Sequence, residues 1–293
     1  MNKLTILGGG RAGLSLGVAL AQAGVQVRLV VRREARREAI RQWLHNQPLP
    51  LEIVEELLPT PLLILAVPDR ALPGLAQSLP PELDTAVWLH VSGAVPWQVL
   101  EKPSAAAEMG SLHPLAALPE PLDLPDPLRA AEPLLGATFA VAGTQKAQEA
   151  ALELVKLLHG RAVQVTQRGL YHAAAALAAN DLVALLELAT QSAVQAGLSP
   201  VDARLGLLHL MQTSLDALKR LPPETPLVQG LTGAMARGDA PTLRLHLDAL
   251  HDQPAQEVHR ALSRVLLEVL RQEGRLGPAS LAALDLTLTA EPH

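Results

Sequence analysis

Short apolar runs alternate with segments of helical periodicity from residue 3 to about residue 166. Apolar runs bounded by turn residues are typical of buried strands, and helical patterns between them are typical of βαβ units. The predicted strands are Leu4–Leu7, Val27–Val31, Leu62–Val67, Ala86–Val91, Ala105–Met109, Thr138–Val141 and Ala162–Val165. This alternation predicts an α/β fold, a parallel sheet with helices on both faces.

The pattern changes after residue 168. From Leu170 to Leu221, and again from Ala240 to Glu273, apolar residues recur at helical spacing without a strand signal. We therefore expect two domains, an α/β domain over residues 1–166 and a smaller all-helical domain over residues 167–293 that holds substrate and forms the dimer.

One predicted helix, Ala173–Ala196, is apolar on nearly every side, which usually means burial on every side. Four polar residues interrupt it and favour a buried helix over a membrane span. They are Asn180, Asp181, Glu187 and Gln191. Burial on all sides is easier when two subunits share a core, so we expect a homodimer through the helical domain and no membrane partner.

Composition narrows the function classes. Of the 293 residues, 49% are hydrophobic and 18% charged, and the formal net charge is -5, which argues against nucleic acid as the main partner. The chain has no cysteine, so disulfides, thiolate metal sites and cysteine nucleophiles are excluded. An apolar strand occupies the place of a signal peptide, so we expect a cytoplasmic protein.

Three histidines are the candidates for metal binding. His246, His251 and His259 are expected on one helix, at spacings of five and eight residues. A pair of ligands at i and i+4 is missing, so we predict no metal site.

A glycine-rich segment directly follows the first predicted strand and begins a helical pattern. It fits G-x-G-x-x-G, in which the glycines permit a tight turn, close approach of a pyrophosphate and close helix–strand packing. The N–H groups at the helix start then favour phosphate binding. The context predicts a Rossmann-type, doubly wound dinucleotide-binding domain, with cofactor contacts from Gly8, Gly9, Gly10, Arg11, Ala12 and Gly13.

The end of the second strand distinguishes NADP from NAD. The acidic residue that usually holds the adenosine ribose is absent at Val31, and Arg32 and Arg33 follow. Guanidinium groups can bind a 2′-phosphate bidentately. The alternative is a solvated helix whose arginines pair with Glu34 and Glu38. Position favours phosphate binding for Arg32 and Arg33 and favours the alternative for Arg37, so NADP is the expected cofactor and NAD is possible.

Ligands of such sheets lie at the carboxyl ends of the strands, and three more predicted strands end in polar or small residues. Val67, Pro68, Ser92 and Gly93 should line the path of the dinucleotide, and Ser111 should face the substrate. The structural alternatives are that Ser92 and Ser111 cap turns and that His90 is a satisfied core histidine.

Three segments resemble one group of bacterial proteins. They are Gly110–Pro114 (GSLHP), Tyr171–Asn180 (YHAAAALAAN) and Leu231–Asp239 (LTGAMARGD). Members of that group join a Rossmann-like domain to a helical C-terminal domain of unknown function, and are related to ketopantoate reductase, pyrroline-5-carboxylate reductase and 6-phosphogluconate dehydrogenase. The resemblance covers essentially the whole chain and implies an NAD(P)-dependent oxidoreductase.

In the hydroxyacid dehydrogenase relatives, the first long helix after the Rossmann domain carries a Lys and an Asn four residues apart. Alignment on Asn180 places Ala176 at the Lys position, so this chain departs from that pattern. His172 lies one turn earlier on the same side of the helix, and histidine can donate a proton near neutral pH. We therefore predict His172 or His113 as the acid and Asn180 as an orienting group; a core or interface role for His172 is the alternative.

The third segment adds candidates for substrate binding. Thr232 and Arg237 lie in it, and Arg237 could clamp a substrate carboxylate. Asp239 is predicted to be the N-cap of the helix that begins at Ala240-Pro241.

Two functions remain open at this point. The first is an NADP-dependent reductase that transfers hydride to a small oxo- or imino-acid in the cleft between the domains. The second is a non-catalytic, dimeric NADP-binding sensor, which the missing Lys favours. Reduction of a deazaflavin is a third alternative that only distant kinship suggests.

Overall fold

The computed structural model describes residues 2–83, 86–100, 108–250 and 253–290. The chain forms two compact units, Met1–Ala179 and Asn180–His293. The division falls inside one long helix, later than the predicted boundary after residue 166.

The first unit contains one sheet in the order β3-β2-β1-β4-β5-β6-β7-β8. Its strands are β1 (Lys3–Leu7), β2 (Gln26–Val30), β3 (Leu51–Val54), β4 (Leu62–Leu65), β5 (Val87–His90), β6 (Glu108–Pro114), β7 (Thr138–Gly143) and β8 (Arg161–Val163). All neighbouring pairs are parallel except β6 and β7. The mostly parallel, Rossmann-type α/β sheet confirms the predicted fold class.

Strand β3 was not predicted. It is four residues long, has an exposed Glu52 in its middle and pairs only with β2 at the edge of the sheet. Short edge strands do not need a continuous apolar run, because one side of their backbone has no partner strand. The hydrophobic pattern of such a strand is therefore weak.

The predicted strand Ala105–Met109 was placed too early. Residues 105–107 lie outside the described residues, and β6 runs from Glu108 to Pro114. The strand direction also reverses here, because the next strand, β7, begins at the end of the sheet where β6 finishes. Leu115 N–H, just after β6, donates to the carbonyl of Thr138, the first residue of β7, at 2.8 Å. The intervening segment lies against the first helix and does not cross the sheet, so β7 is antiparallel to β6.

Ten α-helices lie in the described part of the chain. They are α1 (Arg11–Gln22), α2 (Glu34–Trp43), α3 (Leu72–Ser78), α4 (Gln145–Leu157), α5 (Arg168–Gln195), α6 (Pro200–Lys219), α7 (Gly233–Arg237), α8 (Ala240–Ala249), α9 (Pro254–Gln272) and α10 (Pro278–Thr289). The predicted helix over 240–273 is divided by a break before Pro254. His246 and His259 therefore lie on different helices, contrary to the prediction, and His251 is outside the described residues.

Each unit has its own hydrophobic core. In the first unit the core covers both faces of the sheet and includes the fully buried Trp88 and Phe139. In the second unit, leucines of α8, α9 and α10 form a separate cluster, among them Leu243, Leu270 and Leu284. The all-helical C-terminal region confirms the second half of the predicted fold class.

Helix α5, whose burial was predicted in a core shared by two subunits, is uncovered in the single chain. None of its residues is buried in the single chain, and Leu177 and Val183 are each 68% exposed. Among the described helices it is the one whose length and composition would suffice to cross a membrane. The apolar pattern correctly identified a helix.

Candidate functional site

A cavity of about 830 Å³ opens at the carboxyl ends of β1, β2 and β4. That volume lies within the usual range of ligand pockets. Seven of the residues predicted to bind cofactor line it: Gly8, Gly9, Gly10, Arg32, Arg33, Val67 and Pro68. The other five predicted contacts, Arg11, Ala12, Gly13, Ser92 and Gly93, are not among its lining residues. Tertiary structure thus brings together one glycine turn and two further strand ends.

Two glycines of the turn have opposite surroundings. A Cβ at Gly13 would overlap the carbonyl oxygen of Gly8, so this glycine is required for α1 to lie close to β1. A Cβ at Gly10 would have no protein atom within 4 Å, and its backbone angles (φ -80°, ψ -173°) suit any residue. Among the described residues nothing requires glycine at position 10, so the protein itself would tolerate a side chain there.

Gly10, the N-cap of α1, lines the same cavity. The first intrahelical bond runs from Leu14 N–H to the Gly10 carbonyl at 2.9 Å, so the N–H groups of residues 11–13 have no partner within the helix. The first turn contains no acidic residue. These groups present a partial positive charge and suit a pyrophosphate.

The arginines after β2 separate into two classes. Arg32 and Arg33 are exposed at the cavity, and within the described residues no carboxylate pairs with either of them. Arg37, by contrast, is buried; it donates to the carbonyls of Val31 (2.9 Å) and Arg32 (2.8 Å) and pairs with Glu55 at 2.8 Å. The expectation of a solvated Arg37 paired with its own helix is therefore wrong.

Arg36 is a cavity residue whose contacts the sequence did not indicate. Its Nε donates to the Gly9 carbonyl at 3.0 Å, and its Nη2 pairs with Glu120 at 2.6 Å. Glu120 also lines the cavity, although it belongs to the Pro-rich segment after β6. No local pattern could have found this contact, because the two residues are 84 positions apart.

A second group of polar side chains lies where β5 and β6 end and α5 begins. His113 Nδ1 and the Tyr171 hydroxyl are 2.9 Å apart. The His113 ring also lies directly over Gly93, where a Cβ would come within 2.6 Å of Nε2. The glycine makes room for the imidazole, and the imidazole in turn positions the phenol. Tyr171 was quoted in the family segment, but not as a site residue.

Arg168 joins this group from the first turn of α5. It donates to the carbonyls of Ser92 (3.2 Å) and Val95 (3.0 Å) and to the Ser111 hydroxyl. The Ser92 hydroxyl accepts from Val95 N–H at 3.1 Å, which is the turn-capping role given as the alternative for that serine. Ser111 lies inside β6 and does not cap a turn.

His113 and His90, which is the last residue of β5, are both neutral near pH 7. Burial, helped by the charge of Arg168, lowers the pKa of His90 to about 4. Burial and the neighbouring His172 lower the pKa of His113 to about 4 as well. Burial also raises the pKa of Tyr171, which keeps its hydroxyl protonated. His90 is only half satisfied: Nδ1 accepts from Ser92 N–H at 3.1 Å, and buried Nε2 has no partner within the described residues.

The remaining predicted site residues are less closely engaged. His172 is exposed, and its ring centre is 6.3 Å from that of His113. Asn180 is exposed on the same helix and begins the second unit. In that unit Thr232 and Arg237 flank α7, where Arg237 is 3.8 Å from Asp239. Asp239 accepts from Thr242 N–H at 3.1 Å, which confirms it as the N-cap of α8.

Two family models match the sequence. A Rossmann-like domain covers residues 2–119, and a domain of unknown function, DUF2520, covers residues 137–266. No curated protein matches the chain.

Solved structures with the same fold include two reductases. A protein from Thermotoga maritima is 19% identical, with a TM-score of 0.68 over 93% of this chain and 100% of its own. Pyrroline carboxylate reductase from Plasmodium falciparum, solved with NADP bound, is 13% identical, with a TM-score of 0.55 over 98% and 95% of the two chains. Reductive aminase from Aspergillus terreus, solved with NADPH and ethyl levulinate, is 18% identical, with a TM-score of 0.59 over 97% and 99%. At these low sequence identities, the TM-scores establish a shared fold.

Proposed function

We propose that this chain, which joins a Rossmann-like domain to a DUF2520 domain, is an NADP-dependent reductase of small oxo- or imino-acids. The observation that carries the proposal is the arrangement along one sheet edge. A glycine- and arginine-lined cavity lies at β1, β2 and β4, and the His113–Tyr171 pair lies at β5 and β6. In doubly wound sheets this edge is where dinucleotides and their substrates bind.

NADP fits the residues of the cavity better than NAD does. The N–H groups at the start of α1 suit the pyrophosphate, and Gly10 leaves the approach to them open. Arg32 and Arg33 provide two cationic groups that pair with no carboxylate of the described residues. Glu120, the one acidic residue among the described residues that line the cavity, is already paired with Arg36.

Bound NADPH would supply the hydride, and the chain would supply the proton. The substrate oxygen or nitrogen gains basicity as hydride arrives, and a protonated phenol beside it can donate. Tyr171 meets this requirement, since its hydroxyl is held by His113 and its pKa is raised. His113 is then the partner that orients the phenol, and it is not itself the acid, because its imidazolium is scarce at neutral pH.

The other predicted residues have supporting parts in this proposal. His172 lies beside His113, where it can pass protons from solvent to the pair, and Asn180 would orient substrate from the same helix. Ser111 is held toward the group by Arg168. Thr232 and Arg237 are assigned to substrate binding on the second unit.

We further propose that a second copy of the chain covers α5. Exposed apolar side chains also occur on α6, among them Val201, Leu205 and Leu210. Large exposed apolar patches mark interaction surfaces. Asp181 and Glu187 within α5 make lipid an unfavourable cover, whereas a protein partner can satisfy carboxylates by hydrogen bonding.

The reductase is tested with the purified full chain, 2-oxo acids, cyclic imines and NADPH. We expect NADPH oxidation by at least one compound. Tyr171→Phe should lower kcat by roughly 100-fold or more, since general acid catalysis contributes about that much, while NADPH affinity stays unchanged. Thr60→Val is the matched control. Thr60 lies in the loop before β4, and its hydroxyl donates to the nearby backbone carbonyl of Leu62.

A dimeric NADP sensor is the second candidate. Ala176 at the position of the relatives' lysine, and the exposure of His172 and Asn180, favour it. Tight NADPH binding without oxidation by any compound, and without an effect of Tyr171→Phe, would support the sensor and contradict the reductase.

A further inference from the structure

We propose that Arg168 is the anion-binding residue of the active site and binds the carboxylate of the oxo- or imino-acid substrate. This assignment rests on the proposed reductase function and names the group that selects its substrate class. It gives Arg168 the carboxylate contact that the sequence suggested for Arg237, which belongs to the second unit.

The first argument is charge. Arg168 is partly buried, and no carboxylate lies within salt-bridge distance of it in the described part of the chain. Loss of hydration lowers the pKa of Arg168, and the nearby Tyr171 partly offsets that effect. A partly desolvated guanidinium without a counter-ion is unfavourable. A ligand carboxylate would supply the missing negative charge.

The second argument is the count of donors. A guanidinium has five N–H donors in one plane. The protein uses three of them, for Ser92, Val95 and Ser111. Two donors are left without partners in the described residues, and two are what a bidentate carboxylate needs. The three bonds that are made also hold the guanidinium in a fixed orientation.

The third argument is position. In an oxo- or imino-acid the carbon that accepts hydride is bonded directly to the carboxylate carbon, so anchor and proton donor must be neighbours. Arg168 and Tyr171 are three residues apart in the first turns of α5, which puts their Cβ atoms about 5–6 Å apart. The charge of Asp69 acts on His90 and His113, but Asp69 forms no salt bridge with Arg168 in the described part of the chain, and the first turn of α5 has no acidic residue.

Arg168 also braces the ends of β5 and β6, so a variant can lose activity through misplacement of His113. The two roles differ in one measurable respect. A brace supports reduction of charged and neutral substrates equally, whereas an anion site discriminates between them.

The test compares 2-oxobutanoate with 2-oxobutanamide, which differ in charge but hardly in shape. For Arg168→Lys we expect kcat/KM for the acid to fall about 10- to 100-fold, the range for a charge-assisted hydrogen bond. The value for the amide should fall far less, because the amide is affected only by the loss of the brace. Arg161→Lys, an exposed arginine on β8, is the matched control. Equal losses for both compounds, or no loss for the acid, would overturn the assignment.

A second measurement uses the unaltered protein, in case the variant does not fold. Propionate should inhibit competitively against 2-oxobutanoate, and propionamide should inhibit far more weakly. Equal inhibition by the two would contradict an anion site.

These results separate the two proposals. Reduction of neutral ketones or imines without preference for acids would leave the reductase standing and remove the Arg168 site. Conversely, calorimetry could detect 2-oxobutanoate binding to the NADP⁺-bound protein, abolished by Arg168→Lys, without any turnover. That result would keep the site and reject the reductase.

Discussion

Helices α1 and α5 are similarly apolar but differ in how far their side chains are buried. In α1, nine of twelve residues are buried, and its N-terminus opens on a cavity. In α5, which is 28 residues long, none is buried, although its sequence is just as apolar. The first helix is completed by the sheet that it packs against. The second presents its apolar surface to solvent in the single chain.

The largest expected effect separates packing from binding at the start of α1. Gly13→Ala should destabilise the protein by about 3 kcal/mol or more, because the new Cβ would overlap the Gly8 carbonyl. Gly10→Ala should leave the thermal midpoint unchanged, because its Cβ meets no protein atom, yet weaken NADPH binding about 10-fold or more. Thermal denaturation and NADPH fluorescence titration measure the two effects. Normal NADPH affinity in Gly10→Ala would contradict a pyrophosphate at this turn.

The next effect concerns the uncovered surface of α5. Val183→Asp should weaken self-association about 100-fold, because a carboxylate would be buried in an apolar interface. Sedimentation equilibrium of both proteins measures this. Leu152→Asp, an exposed apolar position on α4 of the first unit, is the matched control. A monomeric wild-type protein that instead binds lipid vesicles would show that a membrane, and not a second copy, covers α5.

A smaller effect is expected at the cavity beyond α1. Replacing Arg32 and Arg33 together with alanine should weaken NADPH binding by about 30- to 100-fold, and NADH by less than about threefold, because only NADPH carries the 2′-phosphate. Arg129→Ala controls for the loss of an exposed arginine, which there pairs with Glu132. Equal losses for the two cofactors would remove the 2′-phosphate from this pocket.

The smallest expected effect is a pH dependence of the free energy of unfolding that arises from His90 in the first unit. His90 is fully buried, and its pKa is lowered to about 4. Between pH 6.5 and pH 4, His90 is therefore protonated in the unfolded chain but neutral in the folded chain. Stability from this group is present above its unfolded pKa of about 6.5 and is lost as pH falls toward 4. Lowering the pH from 6.5 to 5.5 should cost about 1 kcal/mol through His90.

His90→Asn removes this titration while its side-chain oxygen can still accept from Ser92 N–H. Denaturant titrations of both proteins over this pH range provide the measurement. The variant should lose less stability on acidification than the wild type. Identical slopes would mean that His90 is protonated in the folded protein.

Local sequence patterns predicted the features in which the interacting residues are close together in the sequence. The glycine turn, the strand before it and the helix after it form one contiguous unit, as does the N-cap at Asp239. The contacts that join distant segments were not predictable. Arg36 with Glu120, His113 with Tyr171, and Arg168 with Ser111 all pair residues more than 50 positions apart.

The wrong prediction for Arg37 has the same cause. Its helix looks solvated when taken alone, because charged residues surround it. Tertiary structure turns the guanidinium inward, onto the exposed carbonyls at the end of β2 and onto Glu55. A charge pattern cannot reveal this, since the carbonyls it satisfies have no signal in the sequence.

The sequence by itself determined most of the strands and helices, the glycine turn between the first strand and the first helix, and the arginines that follow the second strand. Hydrophobic periodicity and backbone sterics act over a few residues and are therefore visible along the chain. Only the tertiary structure decided which polar groups share a site and which charges stay without a partner. Burial and hydrogen bonding depend on distances between segments that the chain order does not specify.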